Sequence, residues 1–346
     1  MNKKIKAAII GASGYSGEEL IRILSSHSEC EISIITSRQY DGIKIGEIFP
    51  RFAESELIFS APNVDKIIAE CDVAFLALPH GLASEYAAKL VAGGVTTIDI
   101  SADFRLRSLD KYKEYYNQDH PAPELLKYAV YGMPERYRDQ IKSAKLIACP
   151  GCYPTSSILP IAPLLESGIA TTNNIVINSL SGVTGAGRKV ALPFIFPETN
   201  ESVRAYGVTG HRHLPEIEQE LAAAAKCNAN SIAINFIPHL IPVNRGINST
   251  IILEPKTKNI TVETIAKVYN KYYANEPFVR IKEHGKLSDT KNITLSNMCE
   301  IGFTYDSHTN KIIITSTIDN LTKGASGQAV QCMNIIFGLE ETNGLK

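Results

Sequence analysis

The chain has 346 residues, 44% of them apolar and 21% charged, which is an ordinary composition for a globular protein. This length predicts about two domains. Because 35 basic residues balance 36 acidic ones, the net charge of −1 argues against nucleic acid or a membrane surface as a partner. No apolar run reaches the about 20 residues of a membrane span. Seven scattered cysteines favour reduced thiols and a cytoplasmic location.

The first 150 residues alternate apolar strands with amphipathic helices. The run Ile5–Ile10 predicts a strand rather than a secretory signal, because glycines break it and acidic residues follow. Further strands are expected over 31–36, 73–78 and 95–100, with helices over 18–26 and 83–91. This alternation predicts an α/β domain with a Rossmann-like parallel sheet.

The chain after residue 152 has a different pattern, in which predicted strands outnumber helices. The strands are expected over 174–179, 231–237, 249–253, 297–305 and 311–318, and the helices over 213–226, 261–273 and 324–337. This pattern predicts an α+β domain with a mixed or antiparallel sheet.

Three glycines follow the first strand as Gly11-x-x-Gly14-x-x-Gly17. Such a turn lets backbone N–H groups approach a pyrophosphate, which favours a dinucleotide site over a plain glycine-rich turn. An NAD site usually has a carboxylate about 20 residues further on, whereas arginine serves a 2′-phosphate. Here Ser37-Arg38 stands at that distance, so NADP(H) is predicted, a solvated arginine being the alternative.

Cys152 follows an apolar run and a Pro-Gly pair, and a helix is expected over 155–165. Unpaired N–H groups and the dipole at a helix start favour the thiolate, which attacks carbonyl carbon. A buried structural cysteine is the alternative. A histidine suits the accompanying proton transfer, and His211 and His213 stand together before a predicted helix. The residues alone leave open which ring reaches the sulfur.

Basic residues are expected to bind the anionic groups of a substrate, because the planar arginine fork fits carboxylate and phosphate. Arg105 follows the strand at 95–100, on the edge where ligands of parallel sheets gather. Arg188 and Lys189 follow a glycine-rich loop, and a solvated basic turn is the alternative.

Nine motifs occur in order along the chain, within matches that run from residue 5 to about residue 334. They are Gly11-Ala-Ser-Gly-Tyr-Ser-Gly17, Leu78-Pro-His-Gly81, Ser101-Ala-Asp-Phe-Arg105, Tyr131-Gly-Met-Pro-Glu135, Pro150-Gly-Cys-Tyr-Pro-Thr155, Ser181-Gly-Val-Thr-Gly-Ala-Gly-Arg-Lys189, His211-Arg-His-Leu-Pro-Glu216, Pro238-His-Leu-Ile-Pro-Val-Asn-Arg245 and Asp319-Asn-Leu-Thr-Lys-Gly-Ala325. The set resembles the motifs of the N-acetyl-γ-glutamyl-phosphate reductase family.

The resemblance implies a semialdehyde-dehydrogenase fold. An NADP-binding Rossmann domain would cover 1–150 and be rejoined by 320–346, and a catalytic and oligomerisation domain would cover 151–319. A homodimer or homotetramer built through that second domain is implied. The implied reaction is NADPH-dependent reduction of N-acetyl-L-glutamyl 5-phosphate to N-acetyl-L-glutamate 5-semialdehyde with release of phosphate, a step of arginine biosynthesis.

The resemblance also assigns roles to residues. Cys152 would form a thioester, His213 would be the acid/base and His211 would contact the substrate. The cofactor contacts expected from the motifs and the resemblance together are Gly11, Ser13, Gly14, Tyr15, Ser16, Gly17, Ser37, Arg38, Asn320 and Gly324. The expected substrate contacts are Arg105 at the phosphate end, Ser181, Arg188, Lys189 and Glu216. No metal site is expected.

Other functions are compatible with parts of the pattern. A related reductase could act on aspartyl phosphate or on a carrier-linked aminoadipyl phosphate. The pair Cys149-x-x-Cys152 also occurs in thioredoxin-like redox proteins, although these need neither a nucleotide loop nor a histidine doublet. A non-catalytic NADP sensor would be expected to lose the catalytic positions, yet Cys152 and both histidines are present.

Cys149 stands where the family usually has Asn. It could simply replace one small buried residue by another. It could instead capture an oxidised Cys152 as a disulfide and so protect the nucleophile, if the turn brings the two sulfurs within bonding geometry.

Overall fold

The structure is a computed structural model that describes residues 4–258 and 260–345. The described chain divides into two compact units. The first holds residues 4–113, 118–150 and 325–345, and the second holds 114–117, 151–258 and 260–324. The domain division predicted from the sequence assigns 320–324 to the first unit, whereas the structure groups these residues with the second.

The first unit contains a seven-stranded sheet in the order β3-β2-β1-β4-β5-β7-β6, and every pair of neighbours is parallel. Its strands are β1 (Ile5–Ile10), β2 (Cys30–Thr36), β3 (Phe59–Ser60), β4 (Val73–Leu76), β5 (Thr96–Asp99), β6 (Ala129–Tyr131) and β7 (Leu146–Ala148). All residues of β4, β5 and β7 are buried, as expected for a parallel sheet covered on both faces.

The second unit contains a mixed seven-stranded sheet in the order β12-β13-β14-β11-β8-β10-β9. Its strands are β8 (Ile175–Gly182), β9 (Arg204–Ala205), β10 (Ile234–Ile241), β11 (Ile247–Leu253), β12 (Val279–Ile281), β13 (Cys299–Asp306) and β14 (Lys311–Ile318). Burial alternates along β8, β10 and β11, so one face of these strands carries the core.

Eleven α-helices accompany the two sheets in the described chain. They are α1 (Tyr15–Leu24), α2 (Ile45–Ile48), α3 (Val64–Glu70), α4 (Ala83–Ala92), α5 (Leu109–Tyr116), α6 (Pro134–Ile141), α7 (Cys152–Glu166), α8 (Phe196–Thr199), α9 (Leu214–Ala225), α10 (Val262–Tyr273) and α11 (Gly327–Ile336). Short 3₁₀ turns lie at Pro50–Phe52, Pro123–Leu125, Val183–Ala186, Leu192–Phe194, Ala229–Ser231 and Thr290–Asn292, and a π-turn at Thr322–Ser326. Of the helices described, none is long and apolar enough to cross a bilayer.

Helix α7 is buried on all sides although it contains Pro160 and Pro163. Pro163 has no N–H to donate to the carbonyl of Leu159 one turn earlier. The Tyr273 hydroxyl of α10 donates to that carbonyl instead, and the Tyr269 hydroxyl donates to the Pro160 carbonyl at 2.8 Å. Pro163 is therefore accommodated by a tertiary hydrogen bond, and the buried helix α7 holds its first residue, Cys152, in the second unit.

The predicted fold class is confirmed: a parallel α/β unit is followed by a unit with a mixed sheet. The bounds of β1 and β14 match their prediction. Two helices begin three residues earlier than predicted, α1 at Tyr15 and α7 at Cys152. Both starts directly follow a glycine that takes the extended cap position, Gly14 and Gly151, which hydrophobic periodicity does not reveal.

Candidate active site

The glycine loop joins β1 to α1 and is shaped for close approach by a ligand. Gly11 has φ +86°, and a Cβ there would lie 2.4 Å from the Ala77 carbonyl oxygen. A Cβ at Gly17 would lie 2.6 Å from the Ala12 Cα. Gly11 and Gly17 are thus required by the backbone itself, in the loop that leads to the N-terminus of α1.

The side chains expected to contact the dinucleotide meet at the ends of β1 and β2. Ser13 Oγ lies 3.1 Å from Ser37 Oγ, and Ser326 Oγ donates to the Ser16 carbonyl at 2.8 Å. Arg38, the next residue after Ser37, is exposed and donates to the Tyr86 hydroxyl at 3.2 Å. Asp41, the first carboxylate after β2, accepts the Ala61 N–H at 2.8 Å. The end of β2 therefore presents the guanidinium of Arg38. The nearest carboxylate that follows, Asp41, is hydrogen-bonded to the backbone of Ala61.

Cys152 is the first residue of α7 and is half-buried. The residue before it, Gly151, is extended, and its N–H donates to Glu216 Oε1 at 2.9 Å. A Cβ added at Gly324 would lie 2.9 Å from the Cys152 Cβ. Glu216 was predicted to contact substrate and Gly324 to contact cofactor. The structure places both against the turn that presents the thiol.

The histidine doublet lies just before α9, with the two ring centroids 4.9 Å apart. The His213 N–H donates to His211 Nδ1 at 3.1 Å, so the proton of a neutral His211 is on Nε2. Burial lowers the pKa of His211 to about 4, and the charge of Arg212 acts in the same direction. His211 is therefore a neutral hydrogen-bond donor at physiological pH, and His213 is buried beside it.

Two tyrosines and a phenylalanine complete this cluster, and the sequence analysis missed all three. The Tyr153 ring packs edge-on against His211, His213 and Phe236, with centroids 5.5, 5.8 and 5.3 Å away. The Tyr153 and Tyr206 hydroxyls are 2.9 Å apart. Desolvation of its hydroxyl raises the pKa of Tyr206 to about 12, although the hydrogen bond with Tyr153 acts in the opposite direction. The position of Tyr153 directly after the nucleophile was the available signal.

Asp319 and Arg245 form a buried ion pair at the end of β14. Arg245 donates from Nε and Nη2 to the two carboxylate oxygens, each at 2.9 Å. The next residue, Asn320, accepts the Gly246 N–H at 2.7 Å and donates to Thr184 Oγ1 at 2.9 Å. Asn320, predicted to contact the cofactor, thus ties together three segments of the second unit.

Arg105 is buried and supports the end of the parallel sheet. Its Nε donates to the Cys149 carbonyl at 2.7 Å, and its Nη2 donates to the Ile100 carbonyl at 2.8 Å. Cys149 itself is fully buried, and burial raises the pKa of its thiol well above the usual value. None of the seven cysteines forms a disulfide, and an inert buried thiol favours the packing interpretation of Cys149 over the redox one.

The remaining residues predicted to contact the substrate differ in their exposure to solvent. Ser181 is buried in β8 and donates to the Gly182 carbonyl at 3.1 Å. Arg188 and Lys189 are exposed and follow Gly187, which has φ +83°. In the part of the chain that the structure describes, no three His, Cys, Asp or Glu side chains converge as a metal site would require.

The parallel sheet has a glycine loop, and the helix that begins at the half-buried Cys152 packs its second residue, Tyr153, against two histidines. These features are those of a semialdehyde dehydrogenase. Residues 6–144 match the family described as "Semialdehyde dehydrogenase, NAD binding domain", and residues 152–320 match "Semialdehyde dehydrogenase, dimerisation domain". The protein is therefore an oxidoreductase with a nicotinamide dinucleotide as cofactor.

Curated relatives define the subfamily. The chain is 49% identical over 347 residues to N-acetyl-gamma-glutamyl-phosphate reductase of Akkermansia muciniphila, covering 99% of each chain. It is 46% identical to the enzyme of that name from Heliobacterium modesticaldum, covering 99% of this chain and 98% of the relative. The chain belongs to the N-acetyl-γ-glutamyl-phosphate reductase family, as the motifs indicated.

Solved structures show the same fold at low sequence identity. Aspartate semialdehyde dehydrogenase II from Vibrio cholerae, complexed with ASA, has a TM-score of 0.73 and 16% identity and covers 97% of this chain and 99% of its own. Aspartate semialdehyde dehydrogenase with NADP from Candida albicans has a TM-score of 0.73 and 17% identity, with the same coverage.

Proposed function

We propose that this enzyme reduces N-acetyl-L-glutamyl 5-phosphate to N-acetyl-L-glutamate 5-semialdehyde and phosphate with NADPH, in arginine biosynthesis. The observation that carries the proposal is the thiol of Cys152 at the first position of α7, in a second unit that also holds the paired histidines. The names of the relatives at 43–49% identity supply the substrate.

Cys152 is proposed as the nucleophile. The N-terminus of α7 favours its thiolate, which attacks the acyl carbon as the carbon–oxygen bond to phosphate breaks. Phosphate leaves with the bonding electrons, and Cys152 holds the acyl group as a thioester. Bound NADPH supplies the hydride that reduces the thioester. Glu216 acts by holding Gly151, so the sulfur is presented in one position.

His213 is proposed as the acid/base, donating a proton to the acyl oxygen as charge develops there and recovering it as the aldehyde forms. Cys152 then leaves as a thiolate, ready for another turnover. His211 is neutral with its proton on Nε2, which suits it to donate a hydrogen bond to substrate.

The first unit is proposed to hold the dinucleotide through Gly11, Ser13, Gly14, Tyr15, Ser16 and Gly17, and the second to help through Asn320 and Gly324. Ser37 and Arg38 would bind the 2′-phosphate of NADP(H), which the guanidinium at the end of β2 fits. Arg105 is proposed to contact the substrate's phosphate, with Ser181, Arg188 and Lys189 binding its other polar groups.

Seven cysteines without a disulfide favour a cytoplasmic enzyme. We expect a homodimer or homotetramer assembled through the second domain, residues 151–319, whose family description names dimerisation.

An assay in the reverse direction tests the substrate assignment. The enzyme is given phosphate, NADP and either N-acetylglutamate semialdehyde or aspartate semialdehyde, and the appearance of NADPH is followed. We expect kcat/KM for the N-acetylated aldehyde to be at least 100-fold higher. Equal or inverted values would assign the chain to a sister reductase.

A further inference from the structure

Asp103 is a fully buried carboxylate of the first unit, and the proposed mechanism does not use it. It lies in the loop between β5 and α5. A carboxylate at this depth is costly unless hydrogen-bond donors surround it. The donors that contact Asp103 therefore show which part of the fold the carboxylate holds in place.

These donors come mainly from the start of helix α4. Asp103 Oδ1 accepts the Gly81 N–H at 2.6 Å. Oδ2 accepts the N–H and the hydroxyl of Ser84, at 3.0 and 2.8 Å. Leu82, the N-cap residue of α4, has an apolar side chain and makes no capping hydrogen bond. Asp103 thus caps α4 from a distant point in the chain, at the positive end of the helix dipole.

Asp103 is itself held by its surroundings. The Tyr112 hydroxyl of α5 donates to Oδ1 at 3.3 Å, and the Asp103 N–H donates to Ser101 Oγ at 3.2 Å. His120 Nδ1 accepts the Ala122 N–H, so in the neutral ring Nε2 carries the proton and donates to the Asp103 carbonyl at 2.6 Å. Because its side chain and backbone are both fixed, Asp103 can fix the start of α4 in turn.

The residues that Asp103 holds lie next to the glycine loop. The β4–α4 loop, residues 77–82, joins the end of β4 to α4. A Cβ at Gly11 would lie 2.4 Å from the Ala77 carbonyl oxygen and 3.1 Å from Leu78 Cδ2. The β4–α4 loop therefore packs against the turn at which the pyrophosphate is expected.

Helix α4 also contacts the other end of the proposed dinucleotide site. Tyr86, the fourth residue of α4, accepts a hydrogen bond from the Arg38 guanidinium at 3.2 Å. Arg38 is the residue proposed to bind the 2′-phosphate. A shift at the start of α4 would therefore disturb both the glycine loop and this guanidinium.

We infer that Asp103 is the positioning residue of the dinucleotide site. Its carboxylate holds the start of α4, which keeps the β4–α4 loop against the glycine loop and Tyr86 against Arg38. The inference rests on the proposed placement of the dinucleotide at the glycine loop. Because binding groups must be held within about 0.5 Å of their productive positions, loss of this cap weakens dinucleotide binding more than it slows turnover.

Asp103→Asn tests the inference, because the amide keeps one acceptor oxygen and turns a donor towards an N–H group. The matched control is Asp72→Asn. Asp72 accepts the Lys6 N–H at 2.8 Å in the same unit, directly before β4 and so at the opposite end of that strand. Fluorescence titration should give dissociation constants for NADPH and NADH about tenfold higher in Asp103→Asn, from the lost buried hydrogen bonds, and unchanged in Asp72→Asn. At saturating NADPH kcat should be nearly unchanged, a split that general destabilisation does not produce.

Hydrogen exchange without cofactor measures the positioning itself. Amides of residues 81–84 and of the glycine loop, residues 11–17, should exchange about tenfold faster in Asp103→Asn than in wild type or Asp72→Asn. If Asp103→Asn does not fold, the double variant Ser84→Ala/Tyr112→Phe removes two hydroxyl donors and keeps the carboxylate, and it should raise both dissociation constants about threefold. Unchanged dissociation constants in a folded variant overturn the inference and leave the proposed function intact. A wild-type protein that binds neither coenzyme overturns both.

Discussion

The carboxylate of Glu216 accepts the backbone N–H of Gly151 at 2.9 Å, and Gly151 directly precedes the nucleophile. Glu216 is buried in the first turn of α9, so this contact couples the helix after the histidine doublet to the helix that begins at Cys152. Glu216 is therefore proposed to be a residue that positions Cys152.

Glu216→Ala should leave the Gly151 N–H without its acceptor and lower kcat about 10- to 100-fold, corresponding to the about 1–3 kcal/mol of an unsatisfied buried donor. Glu216→Gln keeps an acceptor oxygen and should recover most of the loss. KM should change by less than threefold in both. The rate of iodoacetamide alkylation at Cys152 gives an independent measure of sulfur position. Equal rates in all three proteins would exclude the positioning role.

The stability of the enzyme should depend on His211 in mildly acid solution. With a folded pKa of about 4 and an unfolded pKa of about 6.5, the unfolded state binds the proton first. The contribution of neutral His211 to the free energy of unfolding is therefore complete above about pH 6.5. As the pH falls towards 4 the free energy of unfolding decreases by up to about 3 kcal/mol.

Urea unfolding of wild type and His211→Gln at pH 7.5 and pH 4.8 measures this effect. The wild type should lose more free energy of unfolding between the two pH values than the variant, since both carry the same carboxylates. Identical losses would show that His211 is freely protonated in the folded protein.

Arg38→Ala should raise the dissociation constant for NADPH about 10- to 100-fold, as expected for losing a charge-assisted hydrogen bond of about 1.5–3 kcal/mol. The constant for NADH should change less than threefold, because NADH has no 2′-phosphate. Arg51→Ala is a matched control, since Arg51 is exposed in the same unit but pairs with Glu18 at 3.2 Å. An equal loss for both coenzymes would make the role of Arg38 structural.

Much of the architecture was predictable because it depends on local pattern. The apolar runs that became β1 and β14 are bounded by polar or glycine residues, and the alternation of strands and helices defines the parallel sheet. The glycine loop was predictable for the same reason, because Gly11 takes a positive φ within the turn and a Cβ at Gly17 would meet Ala12 of the same turn.

The supporting contacts of the site were not predictable, because they join residues far apart in the chain. Glu216 reaches Gly151 across 65 positions, and Tyr206 reaches Tyr153 across 53. The charge of Arg105 predicts an anion site, whereas the two backbone carbonyls to which its Nε and Nη2 donate could not be predicted. A sequence motif gives the type of residue at each position, whereas tertiary packing determines which atoms that residue contacts.

Cys149 should take no part in redox protection of the nucleophile. Its thiol is fully buried and burial raises its pKa, so it supplies little thiolate to attack an oxidised Cys152. After dilute peroxide and then dithiothreitol, wild type and Cys149→Asn should recover equal activity. Mass spectrometry should find no Cys149–Cys152 bridge before reduction. A bridge in wild type, with faster recovery than the variant, would establish the protective role.

Trapping the acyl group on Cys152 tests the account most directly. The enzyme is mixed with N-acetylglutamyl phosphate without NADPH, quenched in acid and digested, while released phosphate is counted. We predict a phosphate burst of about one per active site and an N-acetylglutamyl adduct on the peptide that contains Cys152, with neither in Cys152→Ser. Full reductase activity in Cys152→Ser, or an active wild-type enzyme that gives no burst and no adduct, would contradict the thioester mechanism.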